Sequence, residues 1–228
     1  MQTRIDILFE DSDILVVNKP IGILSEDAPN DTESVPALLA SRASGGFPLV
    51  PVTRLDRNVG GVMLLAKNKR SAAFLSAEVS DHEKCIKEYR AVIAGVMAEE
   101  SGVLEDLLFK DSAKNKSFAV KRMRRGVKKA SLAYKTLGEC ETEKGSVSLV
   151  SVRLHTGRTH QIRVQFSSRR HPLLGDGKYG GDSSYPLALH AFSLSFVHPC
   201  GKRYTFTAPL PSGLPWSLFR QKVDGEGT

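Results

Sequence analysis

One carboxylate is set apart by its neighbours. Asp56 lies in Thr53-Arg54-Leu55-Asp56-Arg57-Asn58-Val59-Gly60-Gly61, and the apolar run Val62–Ala66 follows at once. Turn residues ahead of an unbroken apolar run read as a loop feeding a buried strand. The two glycines free the backbone there and allow another chain segment or a ligand to come close. Flanking guanidinium groups favour the ionised acid, which can serve as a base or as a nucleophile. The same residues also fit a surface Arg-Asp-Arg ion pair beside a hairpin turn, and this stretch alone leaves both readings open. A second candidate is Tyr89 in Lys87-Glu88-Tyr89-Arg90-Ala91. In a strand it shares one face with Lys87 and Ala91, and by itself it reads as a half-buried aromatic with a routine hydrogen bond. A third is the string His155-Thr156-Gly157-Arg158-Thr159-His160-Gln161-Ile162-Arg163-Val164. Thr156-Gly157 predicts a turn, and Thr159 predicts the cap of a helix starting at His160. Ile162 and Phe166 then share one helix face, with Arg163 beside it. Arg163 is either an inward guanidinium or a surface helix charge.

Other chemistries find little support. The six histidines show no His-Glu-x-x-His spacing, and His155 and His160 are joined by no acid or cysteine cluster, so no metal is expected. No Gly-x-Ser-x-Gly elbow or Walker loop occurs. Gly175, Gly177 and Gly180 match Gly-x-Gly-x-x-Gly, but Pro172 stands before them and Gly181-Asp182-Ser183-Ser184-Tyr185-Pro186 follows. A dinucleotide fingerprint needs a strand before and a helix after, so no nucleotide cofactor is expected. A glycosidase needs two cooperating carboxylates, whereas one acid stands out here.

The elements that must position these groups are legible as pattern. The chain has 228 residues, 41% hydrophobic, with a net charge of +7. That is enough for one large domain or two small halves, and the positive balance suits a polyanion, nucleic acid first. Three scattered cysteines, Cys85, Cys140 and Cys200, fit a reducing compartment. The first residues lack a signal-peptide core, and no apolar run has the length of a membrane span, so a cytoplasmic location is expected. A hairpin is predicted from Ile5–Phe9 and Ile14–Val17, and a short helix between Thr32 and Ser44. A second helix is predicted over Lys69–Val79, capped by Asn68, with Ala72, Ala73, Leu75 and Val79 inward. Strands are predicted over Lys87–Gly95, Ala130–Leu137, Ser146–Leu154, Leu187–Val197 and Arg203–Thr207, and a short terminal helix over Trp216–Val223 with a frayed tail after Asp224. From Lys110 to Lys129 the chain carries nine lysines and arginines against Asp111 alone. This is a phosphate-touching loop or hairpin, or else a solvated surface segment. Phe118 is its one aromatic, so electrostatic positioning without base stacking is expected.

Together these stretches resemble a family. Arg54-Leu55-Asp56 leading into Gly60-Gly61-Val62-Met63-Leu64-Leu65-Ala66-Lys67-Asn68 is similar to the catalytic motif of the RluA-type pseudouridine synthases. So are the opening Glu10-Asp11-Ser12-Asp13-Ile14-Leu15-Val16-Val17-Asn18-Lys19-Pro20-Ile21-Gly22, the Lys-x-Tyr of Tyr89 and the Gln-Ile-Arg of Arg163. His171-Pro172-Leu173-Leu174-Gly175-Asp176, Leu189-His190-Ala191-Phe192 and Phe206-Thr207-Ala208-Pro209 also match. The likeness runs from about Ile7 to about Leu218. It implies an α+β fold: a long, mixed, mainly antiparallel sheet with flanking helices and a central catalytic cleft. Residues 1–228 would be a single catalytic domain of two halves sharing one sheet, without the small RNA-binding domain that many relatives carry ahead of it.

The resemblance also implies the activity, isomerisation of a flipped-out uridine in ribosomal or transfer RNA, with no cofactor or metal. Asp56 would be the catalytic carboxylate, Tyr89 would contact the base and serve in proton transfer, and Arg163 would pair with Asp56. Arg54, which would insert where the base was, and Ile162 would bind substrate. RNA is the expected partner, no membrane is involved, and the protein is expected to be a monomer. Thr53 replaces the family's usual histidine, Asn58-Val59-Gly60 replaces its usual Asp-Thr-Ser, and Gln165 stands where a histidine often follows. The alternatives are a catalytically silent RNA-binding protein of the same fold and a hydrolase that releases free base or sugar.

Overall fold

The computed structural model describes residues 4–29, 33–43 and 45–219. A hairpin of β1 (Asp6–Glu10) and β2 (Ile14–Lys19) comes first, then helix α1 (Val35–Leu38) and a 3-10 turn over Ala40–Arg42. β3 (Val50–Pro51) and β4 (Gly60–Ala66) flank the Asp56 loop, and α2 (Lys69–Ser80) leads to β5 (Ile86–Ala94). Four long strands follow: β6 (Ser101–Asp111), β7 (Lys116–Val120), β8 (Val127–Thr142) and β9 (Gly145–Leu154). Helix α3 (Gln161–Ser167) precedes the closing pair β10 (Leu189–Val197) and β11 (Arg203–Thr207). The chain forms two compact units. One is the chain up to Lys87 with His190–Leu210; the other is Glu88–Leu189 with the segment from Pro211.

In the first unit β4 is the central strand. Every residue of Gly-Gly-Val-Met-Leu-Leu-Ala is buried, as an unbroken apolar run predicts. It pairs antiparallel with β2, Ile14 opposite Ala66 through Lys19 opposite Gly61, and parallel with β10 at His190–Gly60 and Ala191–Gly61. Strand alternation sends successive residues to two cores. Val62, Leu64, Ile14 and Val16 pack with Leu75 of α2, while Met63, Leu65, Leu15 and Val17 pack with Val35 and Leu49. Gly61 has φ 116°, and a Cβ there would lie 2.2 Å from the Ala191 carbonyl oxygen. Only glycine permits the close approach of β10.

In the second unit the strand order is β5-β9-β8-β6-β7, all antiparallel. Helix α3 lies on one face of this sheet through Val164, which packs with Leu108, Ala130 and Tyr179. Among the described strands of each unit, every pairing is antiparallel except β4–β10; the isolated Leu24–Ser34 bridge is parallel. The α+β class and the mixed, mainly antiparallel strands agree with expectation.

Several details differ from the sequence reading. The helix expected between Thr32 and Ser44 has only four residues, with Ser34 as cap and Pro36 in its first turn. In α2, Ser71 is buried and Ala73 is exposed, because the inward face runs through Ser71 and Leu75. Asn68 caps α2 as expected, its side chain accepting from the Ser71 N–H at 2.9 Å. The 110–129 segment is a hairpin, β7 folding back on β6 with Phe109 opposite Phe118. Trp216–Phe219 is a 3-10 turn. The rest of the expected terminal helix and the tail after Asp224 lie outside the described residues, as does Thr32. No described helix is long and apolar enough to cross a membrane.

Candidate active site

In the first unit the Asp56 loop is fixed at both ends by backbone and side-chain bonds. Thr53 is buried, and its Oγ1 accepts the Leu64 N–H at 2.9 Å while its own N–H donates to the Leu64 carbonyl. The base of the loop is thus closed on β4. Two residues on, the Ser25 hydroxyl donates to the Leu55 carbonyl at 2.8 Å and accepts the Leu55 N–H at 2.9 Å. Asp56 and Val59 close a turn through Val59 N–H to Asp56 O at 2.9 Å. Arg57 is stapled twice to Gly22: its carbonyl accepts the Gly22 N–H, and its Nε donates to the Gly22 carbonyl, each at 2.8 Å. The Asp56 side chain stays half-exposed between these clamps. Arg54 is exposed and paired with Glu26 at 2.8 Å.

Beneath the loop lies a buried cation. Lys19, at the end of β2, is fully buried. Its Nζ donates to the carbonyls of Ile23 at 2.6 Å, Pro20 at 3.0 Å and Arg57 at 3.2 Å. Three acceptors satisfy the three donors of an ammonium. Burial pushes its pKa down to about 8, the Asp56 carboxylate pulls it up, and Arg57 pushes it down again. The Lys19-Pro20 turn and the Asp56 loop are therefore tied by one charge that also lies in the field of Asp56. His190, opposite Gly60, is buried too. Burial lowers its pKa to about 4 despite hydrogen bonding with backbone groups of Ala208 and Pro209. It is neutral at physiological pH.

In the second unit Tyr89 is half-buried in β5, opposite Val152 of β9. Arg163 is carried by α3. The helix starts at Gln161 rather than His160, because His160 adopts a left-handed conformation with φ 53°. No side-chain cap comes from it, and Thr159 does not cap the helix as expected. Instead the Gln161 side chain reaches back: its Oε1 accepts from Thr156 Oγ1 at 2.7 Å and from the Arg158 N–H at 3.0 Å, and its Nε2 donates to the Ser131 carbonyl. That ties the Thr156-Gly157 turn to α3.

Arg163 is buried with Asp176, not presented as a surface charge. Its Nε donates to Asp176 Oδ2 at 2.7 Å and its Nη2 to Oδ1 at 2.8 Å, a fork-on-fork pair. Asp176 is itself 1% exposed. The Tyr179 ring lies over the guanidinium, 5.1 Å from ring centre to Cζ. The Tyr179 hydroxyl in turn meets His160 Nδ1 at 2.9 Å and accepts the Ser117 N–H at 2.9 Å. The guanidinium is held along one edge by Asp176 and across one face by Tyr179, which fixes its plane. Ile162 is buried on the same helix.

Of the residues singled out by sequence, Arg54 and Asp56 share one loop of the first unit, and Tyr89, Ile162 and Arg163 belong to the second. Sequence reasoning assigned no role to Lys19, Asp176 or His190. Each sits inside a string already noticed: Lys19-Pro20-Ile21-Gly22, Gly175-Asp176-Gly177 and Leu189-His190-Ala191. A charged or imidazole side chain within an apolar or turn-forming stretch was the available signal.

Comparison with known proteins matches this arrangement to one family. The family model described as RNA pseudouridylate synthase covers residues 13–168. Ribosomal large subunit pseudouridine synthase D of Zymomonas mobilis is 35% identical over 92% of this chain and 70% of that protein. The uncharacterized RNA pseudouridine synthase YlyB of Bacillus subtilis is 33% identical, with the same shares covered. Human RNA Pseudouridylate Synthase Domain Containing 1 shares the fold, with a TM-score of 0.74 at 23% identity over 99% of this chain and 96% of that one. Human RNA Pseudouridylate Synthase Domain Containing 4 has a TM-score of 0.72 at 26% identity over 90% and 88%. The chain belongs to the RNA pseudouridylate synthase family and is an isomerase acting on RNA.

Proposed function

We propose that the protein converts specific uridines of ribosomal or transfer RNA to pseudouridine, with Asp56 as the catalytic carboxylate. The bond from ribose C1′ to uracil N1 breaks, the base turns, and a bond from C1′ to uracil C5 forms. The C5 proton leaves and N1 gains one, so the reaction is isomeric and needs no energy source. Asp56 acts either by attacking C1′ or by removing the ribose C2′ proton to pass through a glycal. The detached uracil must stay trapped while it turns, and confinement in a closed site supplies that by proximity. A stacked base is out of reach of a carboxylate in a protein, so the uridine is everted, with Arg54 entering the gap it leaves. Tyr89 lies against the uracil ring and serves in proton transfer. Arg163 holds the Asp56 carboxylate, and Ile162 contributes to the surface that receives the nucleotide. The protein works as a monomer in the cytoplasm.

The observation that carries this reading is the anchoring of Asp56. Its loop is fixed on both sides by bonds from Ser25, Gly22 and Lys19, while its side chain stays half-exposed. A fixed backbone under an accessible carboxylate is what a positioned base or nucleophile requires. The test is tritium release from ribosomal and transfer RNA transcripts labelled at uridine C5. Asp56→Asn and Asp56→Ala should abolish release while RNA binding remains within a few-fold. Full release by Asp56→Ala would overturn the assignment, and free uracil among the products would mark a hydrolase instead.

A further inference from the structure

Strands β5 and β9 of the second unit are buried on both faces, but toward β6 and β7 the sheet has one face covered and one exposed. Even-numbered residues of β6, Leu104 and Leu108, are buried, and Leu108 packs with Val164 of α3. Odd-numbered residues point the other way. Val103 is 58% exposed, Leu107 and Phe109 are half-exposed, and Phe118, the cross-strand partner of Phe109, is 36% exposed. An antiparallel sheet with one wet face normally alternates apolar-in and polar-out. Here the outward positions carry Val103, Leu107 and Phe109 with one exposed acid, Glu105, between the first two, and an outward face so rich in apolar and aromatic groups marks an interaction surface.

Cations frame that face. Arg124 lies over the Phe109 ring at 5.0 Å and Lys116 over Phe118 at 5.7 Å. Lys129 is exposed directly opposite Leu107. The turn from β7 to β8 adds Lys121, Arg122 and Arg125, all exposed, around Met123 at 55% exposure. The sequence offered Phe118 as a lone aromatic and so excluded stacking. Folding brings Phe109 opposite it, from outside the basic stretch, so the premise of a lone aromatic does not hold.

We infer that this face of β6, β7 and β8 is a docking platform for unpaired nucleotides of the RNA substrate, with bases on Phe109 and Phe118 and phosphates on Arg124, Lys129 and the β7–β8 turn. The inference rests on the reading that the protein acts on RNA, but not on Asp56 being its catalyst. Two adjacent rings set among fixed cations are the parts of a sequence-tolerant single-strand surface: rings for any base, positive charge for the backbone. A protein partner would suit the apolar strip but not nine cations opposed by one acid between Lys110 and Lys129. Phosphates do.

The test uses the full chain and a fluorescein-labelled 20-nucleotide RNA of mixed sequence, single-stranded and as a duplex, titrated at several salt concentrations. Phe118→Ala should weaken single-strand binding about 5- to 100-fold, the range of losing one stacked base, with little change in salt dependence. Phe118→Trp should restore it. Arg124→Glu with Lys129→Glu should weaken both forms and flatten the slope of log K against log salt by about 1.4, two phosphate contacts on a single strand. Phe118 is exposed, so an unchanged melting temperature separates lost binding from lost folding. Wild-type affinity and slope in both variants would overturn the platform. So would a concentration-dependent oligomer in sedimentation that Phe118→Ala dissolves, since the strip would then be covered by a second copy. If Asp56→Ala kept full tritium release while the Phe118 and Arg124 effects stood, the catalytic assignment alone would fall.

Discussion

Asp176→Asn isolates what a buried ion pair does for the candidate site. Arg163 and Asp176 share two bonds of 2.7 and 2.8 Å, with side-chain exposures of 11% and 0%. Asparagine keeps the shape but removes the charge and replaces one acceptor with a donor facing the guanidinium. Breaking a buried pair from one side costs about 3–5 kcal/mol, mostly because the remaining charge is left uncompensated. In a chain of 228 residues each kcal/mol moves the melting temperature about 2–4 °C, so a fall of roughly 6–20 °C is expected. Urea unfolding should show the midpoint falling with an unchanged slope. Activity should fall mainly in kcat, because a guanidinium that has lost its fixed edge no longer presents the rest of itself in one orientation. A second variant separates stability from catalysis. Replacing both partners by apolar residues of similar volume, Arg163→Met with Asp176→Leu, is expected to recover most of the lost stability and none of the activity. If the double variant stays as unstable as the single one, the buried-charge reasoning is wrong. If it turns over substrate, Arg163 has no catalytic part.

The remaining predictions concern the ground beneath Asp56. Lys19 has a native pKa near 8 against an ordinary 10.5, so its burial cost is fully present below pH 8 and is relieved as pH rises toward 10.5. Between pH 7.5 and 9.5 the wild type should gain about 2 kcal/mol over Lys19→Met in denaturant unfolding; a pH-independent difference would refute the buried charge. His190 shows the same direction of shift at acid pH. With a native pKa near 4 against 6.5, it contributes stability that is whole above pH 6.5 and is lost as pH falls through 4. The drop in stability from pH 7 to 4.5 should be smaller by about 2 kcal/mol in His190→Gln, read by the same unfolding assay. Gly61→Ala should abolish soluble folded protein or cost about 4 kcal/mol or more, because its Cβ meets the Ala191 backbone at 2.2 Å. Gly22→Ala, with φ 92° but open space around it, should cost only about 1–2 kcal/mol.

Much of this architecture was legible in order and kind. Strand alternation and the Asn68 cap placed the β1–β2 hairpin, α2, β9 and the β10–β11 pair within a few residues, because those signals are local. What the sequence hid was pairwise. The partner of Arg163 sits thirteen residues away in a glycine-rich turn, and no period or propensity links Gln-Ile-Arg to Gly-Asp-Gly. Phe109 and Phe118 became neighbours only through hairpin register. The start of α3 was misplaced because Thr159 looked like a cap. The helix has no side-chain cap; its start is fixed by the left-handed His160 and by Gln161, whose side chain bends back on the preceding turn, and neither is a local cap signal. Thr53, a point of departure from the family resemblance, has a structural part that the sequence did not reveal. Its hydroxyl accepts the Leu64 N–H, so the position anchors the Asp56 loop to β4.

The charges around the Asp56 loop divide by burial, and the division sets which of them can move when RNA binds. Lys19 is enclosed by three carbonyls and has no water to exchange with, so it stays as a fixed part of the loop. Arg54 pairs with Glu26 at 2.8 Å, but the side chains are 67% and 57% exposed. Such a pair contributes about 0–1 kcal/mol. A phosphate or an emptied base stack can therefore take the Arg54 guanidinium from Glu26 at little cost. Glu26→Gln should leave folding stability unchanged within about 0.5 kcal/mol. It should tighten RNA binding a few-fold at low salt, by freeing the arginine and removing a like charge from the path of the phosphates. If Glu26→Gln weakens binding instead, the carboxylate is what presents Arg54 to the RNA, and the insertion proposed for that arginine depends on the pair rather than on its release.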